Sequence, residues 1–514
     1  NGNVNKTSYY STGTGKARDW YMEAAFDYQR SFGAHDITAL VLYNQSKRYY
    51  PATYSDIPSG YVGLVGRIAY NYNTTYMAEF NVGYNGSENF APGKRYGFFP
   101  SGSIGWVVSK EKFFEKLKPY VDYLKVRASL GLVGNDATQG KRFLYIPDSY
   151  GFGDGNYFGH NQYIGGAQEN TKSNQDVTWE KARKQNYGID MTIFRQKLNI
   201  AFDYFREDRW DILSSPDYMP ALLGMSLPIM NVGETENHGF ELALKWNDLI
   251  GDDFRYWANF NISYAKNKIK YMNEVKQNES WMAQTGRPIG SRSLYKFWGY
   301  FDETANERYR AEFGQDIPDH GAQLYPGDAI YCDLNGDGVI DGDDASRDLA
   351  YTDAPEWTAG LNIGFMWKGF DVTLQFTGAW NVDRMLSEFR QPLGDTTNKG
   401  LLKYQYDNTW RSSADSQSAK FPRISTTSAA NNYRGSTLYL YDASYLRLKS
   451  MEVGYTFNFP WMKKIQMQNL RLYCSAYNLF TITDFMWGDP ESRQSDRPNY
   501  PLIRTFNFGL KVGF

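Results

Sequence analysis

The sequence predicts an all-β chain, a transmembrane antiparallel β-barrel of about fourteen strands with long loops at one rim. Three observations predict it. Period-two alternation recurs in stretches long enough to cross a bilayer. Short turns and long loops divide the connections between the strands. The last strand alternates to the final residue. Composition agrees: 17% of the 514 residues are aromatic, 42 of them Tyr, and 47 are Gly. Aromatics favour strands and glycine favours tight turns. Mean hydropathy is −0.60, and no apolar run reaches the roughly eighteen residues that a spanning helix needs. A helical membrane protein is excluded. A barrel escapes that test because its apolar and polar residues alternate and average out.

The strands follow in chain order. In 19–30, Trp20, Met22, Ala24, Phe26 and Tyr28 share one face, and Asp19, Tyr21, Glu23, Asp27 and Gln29 the other. In 74–85, Tyr76, Ala78, Phe80, Val82 and Tyr84 oppose Thr75, Glu79, Asn81 and Asn85. A pair at 359–380 turns at Lys368-Gly369, with Leu361, Ile363, Phe365 and Trp367, then Phe370, Val372, Leu374 and Phe376, on its apolar face. Further strands are expected at 35–45, 60–72, 98–109, 120–132, 180–195, 197–207, 236–247, 254–267, 444–458, 468–480 and 503–514. Some neighbours meet at very short turns, such as Arg195-Gln196, whereas 133–178, 208–234, 268–355 and 381–443 are long connections. Connections of that length are usually functional. An amphipathic stretch from Glu111 to Lys118 reads as a short helix that caps a rim.

The final strand is the clearest. Phe506, Phe508, Leu510, Val512 and Phe514 face lipid as a membrane-insertion strand, and Thr505, Asn507, Gly509, Lys511 and Gly513 face the lumen. The competing reading is a buried terminal strand in a secreted, soluble all-β protein whose aromatics grip glycan. The two differ in whether aromatics point outward on strand faces.

Charge excludes other classes. With 55 basic and 57 acidic residues the net charge is −2, and no basic block suggests nucleic acid. Cys332 and Cys474 are too few for a disulfide framework. His35, His160, His238 and His320 lack metal-ligand spacing, and neither a nucleophile elbow nor a phosphate loop is present. The chain is therefore expected not to be an enzyme.

One stretch carries local chemistry. Residues 333–344, DLNGDGVIDGDD, place oxygen donors at positions 1, 3, 5, 9 and 12 of a twelve-residue loop. They are Asp333, Asn335, Asp337, Asp341 and Asp344, with the Val339 carbonyl at position 7 and Gly338 at the sharp turn. Ca2+ is a hard cation that takes six to eight oxygens, and this loop supplies that kind of set. Four crowded carboxylates would repel one another without a cation. Position 12 is Asp rather than Glu and no helix is evident on either side, so the expectation is a structural calcium loop that fixes the segment 268–355. An Asx-rich hydrated turn would carry the same residues.

Several segments together resemble the SusC-type TonB-dependent transporters of Gram-negative outer membranes. Gly60 to Asp136 carries much of the resemblance, from GYVGLVGRIAYNYNTTYMAEFNVGYNGSENFAPGKRYGFFPSGSIGWVVSKEKFF to VDYLKVRASLGLVGND. ETENHGFEL from Glu234, DLNGDGVID from Asp333, and then SYLRLKSMEVGYTF, LRLYCSAYNLFTITDF and YPLIRTFNFGLKVGF continue it nearly to the end. The resemblance implies a plugged barrel of 22 strands, a size associated with outer-membrane transporters. On that expectation residues 1–514 are the C-terminal part of one barrel domain, without its plug and first strands. It also implies active import of an oligosaccharide or oligopeptide, energy from a TonB complex through an N-terminal part, a SusD-type surface lipoprotein as lid, and contact with outer-membrane lipid. A dimer of transporter–lipoprotein pairs is compatible with it.

Two loops are candidates for ligand or partner contact. The stretch 143–163 contains Tyr145, Tyr150, Phe152, Tyr157 and Phe158, which could stack on sugar, meet a partner, or form the loop's own core. The stretch 209–230, with Trp210 and Tyr218, is apolar enough to suggest a protein interface.

Overall fold

A computed structural model describes residues 16–51, 56–138, 140–146, 150–159, 161–169, 173–215, 228–386, 400–425, 429–492 and 502–514. Fifteen long strands pair in one sheet in the order of the chain. The first are β1 (Arg18–Phe32), β2 (His35–Tyr49), β3 (Ser59–Tyr72), β4 (Tyr76–Ser87) and β5 (Tyr96–Val107). Next come β6 (Val121–Asn135), β7 (Glu180–Ile193), β8 (Leu198–Ser214), β9 (Met230–Ile250) and β10 (Phe254–Tyr271). The last are β11 (Trp357–Trp367), β12 (Phe370–Trp380), β13 (Tyr445–Phe457), β14 (Asn469–Thr483) and β15 (Thr505–Gly513). Every alternating stretch named from the sequence lies within or overlaps one of them. Two boundaries move: β8 runs beyond 207 and β9 starts before 236, so the connection between them is shorter than expected.

The chain divides into two compact units. One comprises the described residues of 1–106, 129–184 and 209–233; the other, 107–128, 185–208 and 234–514. In the first, register fixes two faces of opposite character. Asp27 stands opposite Leu40, Leu40 opposite Arg67, Arg67 opposite Asn81, and Asn81 opposite Ser101. The other face carries Phe26, Val41, Ile68, Phe80 and Ile104, each more than half exposed. A small core sits at the long-loop end, where Phe90, Phe99, Trp179, Leu213 and Ile229 are buried together.

The second unit repeats the division. Tyr256, Phe365, Val372, Val453, Cys474 and Phe508 form one cross-strand row, and Trp257, Gly364, Thr373, Glu452, Ser475 and Asn507 form the row on the opposite face. Phe506, Phe508 and Leu510 are 58%, 83% and 62% exposed, as a lipid-facing strand requires. Phe514 lies one residue past β15. Between β11 and β12, Lys368 (φ 46°) and Gly369 (φ 93°) both take the left-handed region. That is the turn whose twist joins two strands without a splay. The expected cap at 111–118 is a 3-10 turn, Lys112–Lys116, with Phe114 buried beneath it.

A soluble monomer rarely leaves contiguous apolar area beyond a few hundred square ångströms bare. Here Phe26, Phe80, Ile104, Phe508 and Leu510 stand more than half exposed, while neighbouring strands pair residue by residue along most of their length, which suits hydrocarbon as a solvent. No helix among the described residues is long and apolar enough to cross a membrane.

Adjacent residues of β4 should therefore respond differently to the same charge. Phe80→Lys is expected to cost about 2–4 kcal/mol if it meets hydrocarbon, and Asn81→Lys much less. Denaturant unfolding of each variant, refolded into lipid vesicles, checks this. Equal costs would contradict the assignment of faces.

Candidate functional site

The long connections of the second unit fold into a compact body. The segment after β10 makes a strand pair, Phe297–Tyr300 with Ala329–Tyr331, and a helix α1 (Ala305–Phe313). Ala305, Tyr309 and Ile330 are buried together, with Trp298, Phe301, Ile317 and Leu324 around them. The segment after β12 has its own cluster of Leu386, Phe421 and Tyr439, and Leu438 packs both against it and against Ala329, Tyr331 and Ile340. A buried carboxylate ties the two segments. Asp328 accepts from the Tyr325 amide at 2.8 Å, Arg423 Nε at 2.6 Å and Asn432 Nδ2 at 2.8 Å. Asn432 Oδ1 in turn accepts from the Ala329 amide at 2.8 Å. Sequence reasoning missed this network, because its members lie about a hundred residues apart.

The expected calcium loop sits on the same body. Asp333 accepts from the Gly336 amide at 2.6 Å and the Gly338 amide at 2.9 Å through its two oxygens. Asn335 accepts from the Asp337 amide at 3.1 Å, Asp337 from the Val339 amide at 2.8 Å, and Asp341 from the Asp343 amide at 2.9 Å. Gly336 (φ 78°) and Gly338 (φ 84°) permit the sharp winding. Two hydrogen bonds tether the loop to Asp319: its amide donates to the Gly338 carbonyl, and its carbonyl accepts from the Ile340 amide. Ile340 is buried against Ala329 and Tyr331. Asp344 is fully buried and accepts from the Leu334 amide at 2.7 Å and the Asp341 amide at 3.0 Å. Burial first, and then the neighbouring Asp333 charge, raise its pKa.

The donor chemistry and the winding suit a hard cation. The donors do not converge: among the described residues no three Asp, Glu, His or Cys side chains stand close enough to hold a metal. Backbone amides hold the carboxylates instead, which eases the repulsion expected from the sequence.

The loop aromatics separate into different roles. Tyr145 is half-buried; its hydroxyl accepts from Arg95 Nη2 at 3.2 Å, and its neighbours Phe143 and Leu144 belong to the local core. Tyr157 and Phe158 are 71% and 56% exposed near the tip of a hairpin, Tyr150–Phe158 with Gln162–Glu169. Tyr150 and Phe152 are on its first strand, and their side chains lie outside the described residues. Trp210 is half-buried in β8 rather than in a loop. Tyr218 lies outside the described residues.

The polar face of the sheet is laced with ion pairs. In the second unit Arg127 bonds to Asp190 at 3.1 Å and to Asp203 at 2.6 Å. Arg471 bonds to Asp371 and, at 2.6 Å, to Glu452. In the first unit Arg67 bonds to Glu79 at 2.7 Å. Such a wall suits a hydrated interior.

The fifteen-stranded antiparallel sheet is of the transmembrane β-barrel class, and comparison with known proteins narrows it. No family model matches the chain. TonB-dependent receptor P3 of Formosa agariphila is 28% identical over 525 residues, 96% of this chain and 49% of that protein. TonB-dependent receptor SusC of Bacteroides thetaiotaomicron is 25% identical over 466 residues, 88% of this chain and 44% of its own length. A solved structure of the RagAB peptide transporter matches with a TM-score of 0.72 at 19% identity, covering 97% of this chain and 56% of that one. The chain is thus a homologue of TonB-dependent receptors that include SusC, as the sequence segments indicated. It spans about half the length of the curated relatives it matches. Those relatives are receptors, not enzymes.

His320, beside the calcium loop, generates a pH prediction. It is 2% exposed; Nδ1 donates to the Pro318 carbonyl at 2.8 Å, because Nε2 accepts from the Tyr331 amide at 3.0 Å. Burial lowers its pKa from 6.5 to about 4. The unfolded chain therefore binds this proton near pH 6.5 and the folded chain only near pH 4. The stability linked to His320 is complete above the first value and is lost on falling to the second, on the order of 3 kcal/mol. Proteolysis rates of the loop body from pH 7 to 4 should rise, and His320→Asn should remove that part of the slope. Identical profiles for both proteins would contradict the assignment.

Proposed function

We propose that the chain is the barrel part of a TonB-dependent importer in the outer membrane of a Gram-negative bacterium. The observation that carries this reading is a sheet apolar on one face and ion-paired on the other, in a chain homologous to TonB-dependent receptors over 96% of its length. The cargo is an oligosaccharide or an oligopeptide too large to diffuse through a porin. Energy arrives from TonB through a plug of the complete protein. A SusD-type lipoprotein closes the mouth, and a paired assembly of two such complexes is compatible with that. The exposed hairpin tip at Tyr157 and Phe158 is the proposed point of contact with the lipoprotein; aromatic anchors of this kind are enriched at interfaces. The bare apolar face weighs against the soluble glycan-binding alternative.

Uptake by cells that produce the complete protein tests the reading. Fluorescent oligosaccharide and oligopeptide pools should enter, and a proton uncoupler or loss of TonB should abolish entry. Entry unchanged by either treatment, or no entry of either pool, would contradict it. Co-purification of a lipoprotein should fall when Tyr157 and Phe158 are both changed to Ser.

Residues 333–344 are proposed to hold a structural Ca2+ through Asp333, Asn335, Asp337, the Val339 carbonyl, Asp341 and Asp344. Support comes from the hard-oxygen donor set and the two glycine-dependent turns. Its role would be to clamp the loop body, without part in any reaction. Protein purified without chelators should contain about one calcium per chain, and Asp337→Ala should lose it and shed loop stability of about 1–3 kcal/mol. Metal analysis that finds no calcium in the unaltered protein would falsify this.

A further inference from the structure

The first unit contains a cleft of about 450 Å3 that none of the roles above uses. It lies at the long-loop end of β2–β4, on the polar face. Tyr61 stands opposite Ser46 and Ser87, and Arg48 opposite Asp19, on the face that also carries Glu23 and Glu79. Ser59, Asn89, Asp136 and Arg142 complete the lining with Arg48 and Tyr61.

Its floor is rigid. The Arg142 side chain is only 9% exposed. It donates to the Ile57 carbonyl at 2.8 Å, to the Pro58 carbonyl at 3.2 Å and to Glu88 Oε1. Glu88 Oε2 accepts from the Gly60 amide at 3.1 Å. Asn89 Nδ2 donates to the Asp136 carbonyl oxygen at 3.3 Å, which holds that segment beside the end of β4. Three groups on the walls are left to act. Arg48 makes one long contact with Asp19, 3.4 Å, and is 69% exposed. The Asp136 carboxylate and the Tyr61 hydroxyl make no hydrogen bond among the described residues.

Resting on the import reading, we infer that this cleft is a subsite for a neutral sugar segment of the cargo. Arg142 is paired with Glu88 and Arg48 meets Asp19, so with Asp136 the walls hold no excess positive charge to draw an anionic ligand. A hydroxyl both donates and accepts, so adjacent hydroxyls of one ring can accept from the Arg48 fork and donate to the Asp136 carboxylate. Hydrogen bonds to charged groups are the stronger kind. The Tyr61 ring offers an apolar face and a polar tip side by side, which suits the mixed surface of a pyranose. The volume lies within the ordinary range for small-ligand sites, about 300–1,000 Å3.

The test uses the complete protein in detergent, titrated calorimetrically with maltohexaose, cellohexaose, xylohexaose and mannohexaose, and with a mixed tripeptide pool. At least one saccharide should bind the unaltered protein. Asp136→Asn and Tyr61→Ala should each weaken it tenfold or more, whereas Asp27→Asn, on the same face, should leave it unchanged. All three variants should keep the heat-sensitive gel mobility of a folded barrel. Saccharide binding that ignores Asp136 and Tyr61, binding of tripeptides alone, or binding of no probe would overturn the inference. Energised uptake that persists when both residues are changed removes the cleft from the pathway and leaves import standing. Absence of energised uptake by the unaltered protein removes import as well.

Discussion

Every strand of this sheet serves two solvents at once, and that constraint organises the rest of the molecule. Hydrocarbon accepts no unpaired amide or carbonyl, so the backbone must be consumed by neighbouring strands. With the backbone spent, side chains alone distinguish the faces, and a period of two sends each residue to one solvent or the other. A slip of one residue would bring Asn81 and Arg67 to lipid and Phe80 and Ile68 to water. The short turns follow from the same demand. Lys368-Gly369 holds β11 and β12 in register because its left-handed geometry leaves no slack.

Beyond the membrane the physics changes, and the strands record where. β8 and β9 continue past the stretch in which alternation is clean, and there the pairing is held by polar contacts instead. Lys181 reaches Asp211 at 2.9 Å, and Arg206 joins Asp208 at 3.0 Å to Glu236 at 2.8 Å. Asn231 bridges the carbonyls of Thr178 and Asp211 at 2.8 and 2.7 Å. Cross-strand pairs of this kind stabilise a sheet in water. They have no periodic signature, so a reading based on alternation ends where the lipid does. Hence the sequence located all the long strands yet stopped short on β8 and started late on β9.

The same distinction explains which parts of the candidate site were legible. The winding at 333–344 is written locally: each Asx side chain accepts from an amide two to five residues ahead, and glycine supplies the positive φ. Spacing alone reveals it. Tyr145 was ambiguous because its role depends on Arg95, fifty residues earlier in the chain. The Asp328–Arg423–Asn432 network depends on two loops meeting, and the cleft beside Tyr61 depends on the ends of three strands and the segment after a fourth. Composition and periodicity contain no information about such meetings.

The loop body then answers a mechanical problem that the sheet cannot. Long connections gain nothing from the membrane and must bury their own apolar residues to hold a shape above it. Tyr309, Ile330 and Tyr439 supply that burial, but a core this small is weak on area alone. Buried charge adds specificity of arrangement. Asp328 is satisfied only when Tyr325, Arg423 and Asn432 are all in place, so a displaced segment leaves a carboxylate desolvated and unpaired, at a cost of several kcal/mol. Asp344 extends the argument to the calcium loop. Its full burial is tolerable because the Leu334 and Asp341 amides both donate to it; burial first, and the Asp333 charge after it, raise its pKa. The proposed cation would offset the repulsion between these carboxylates, a task that backbone amides perform in the observed arrangement.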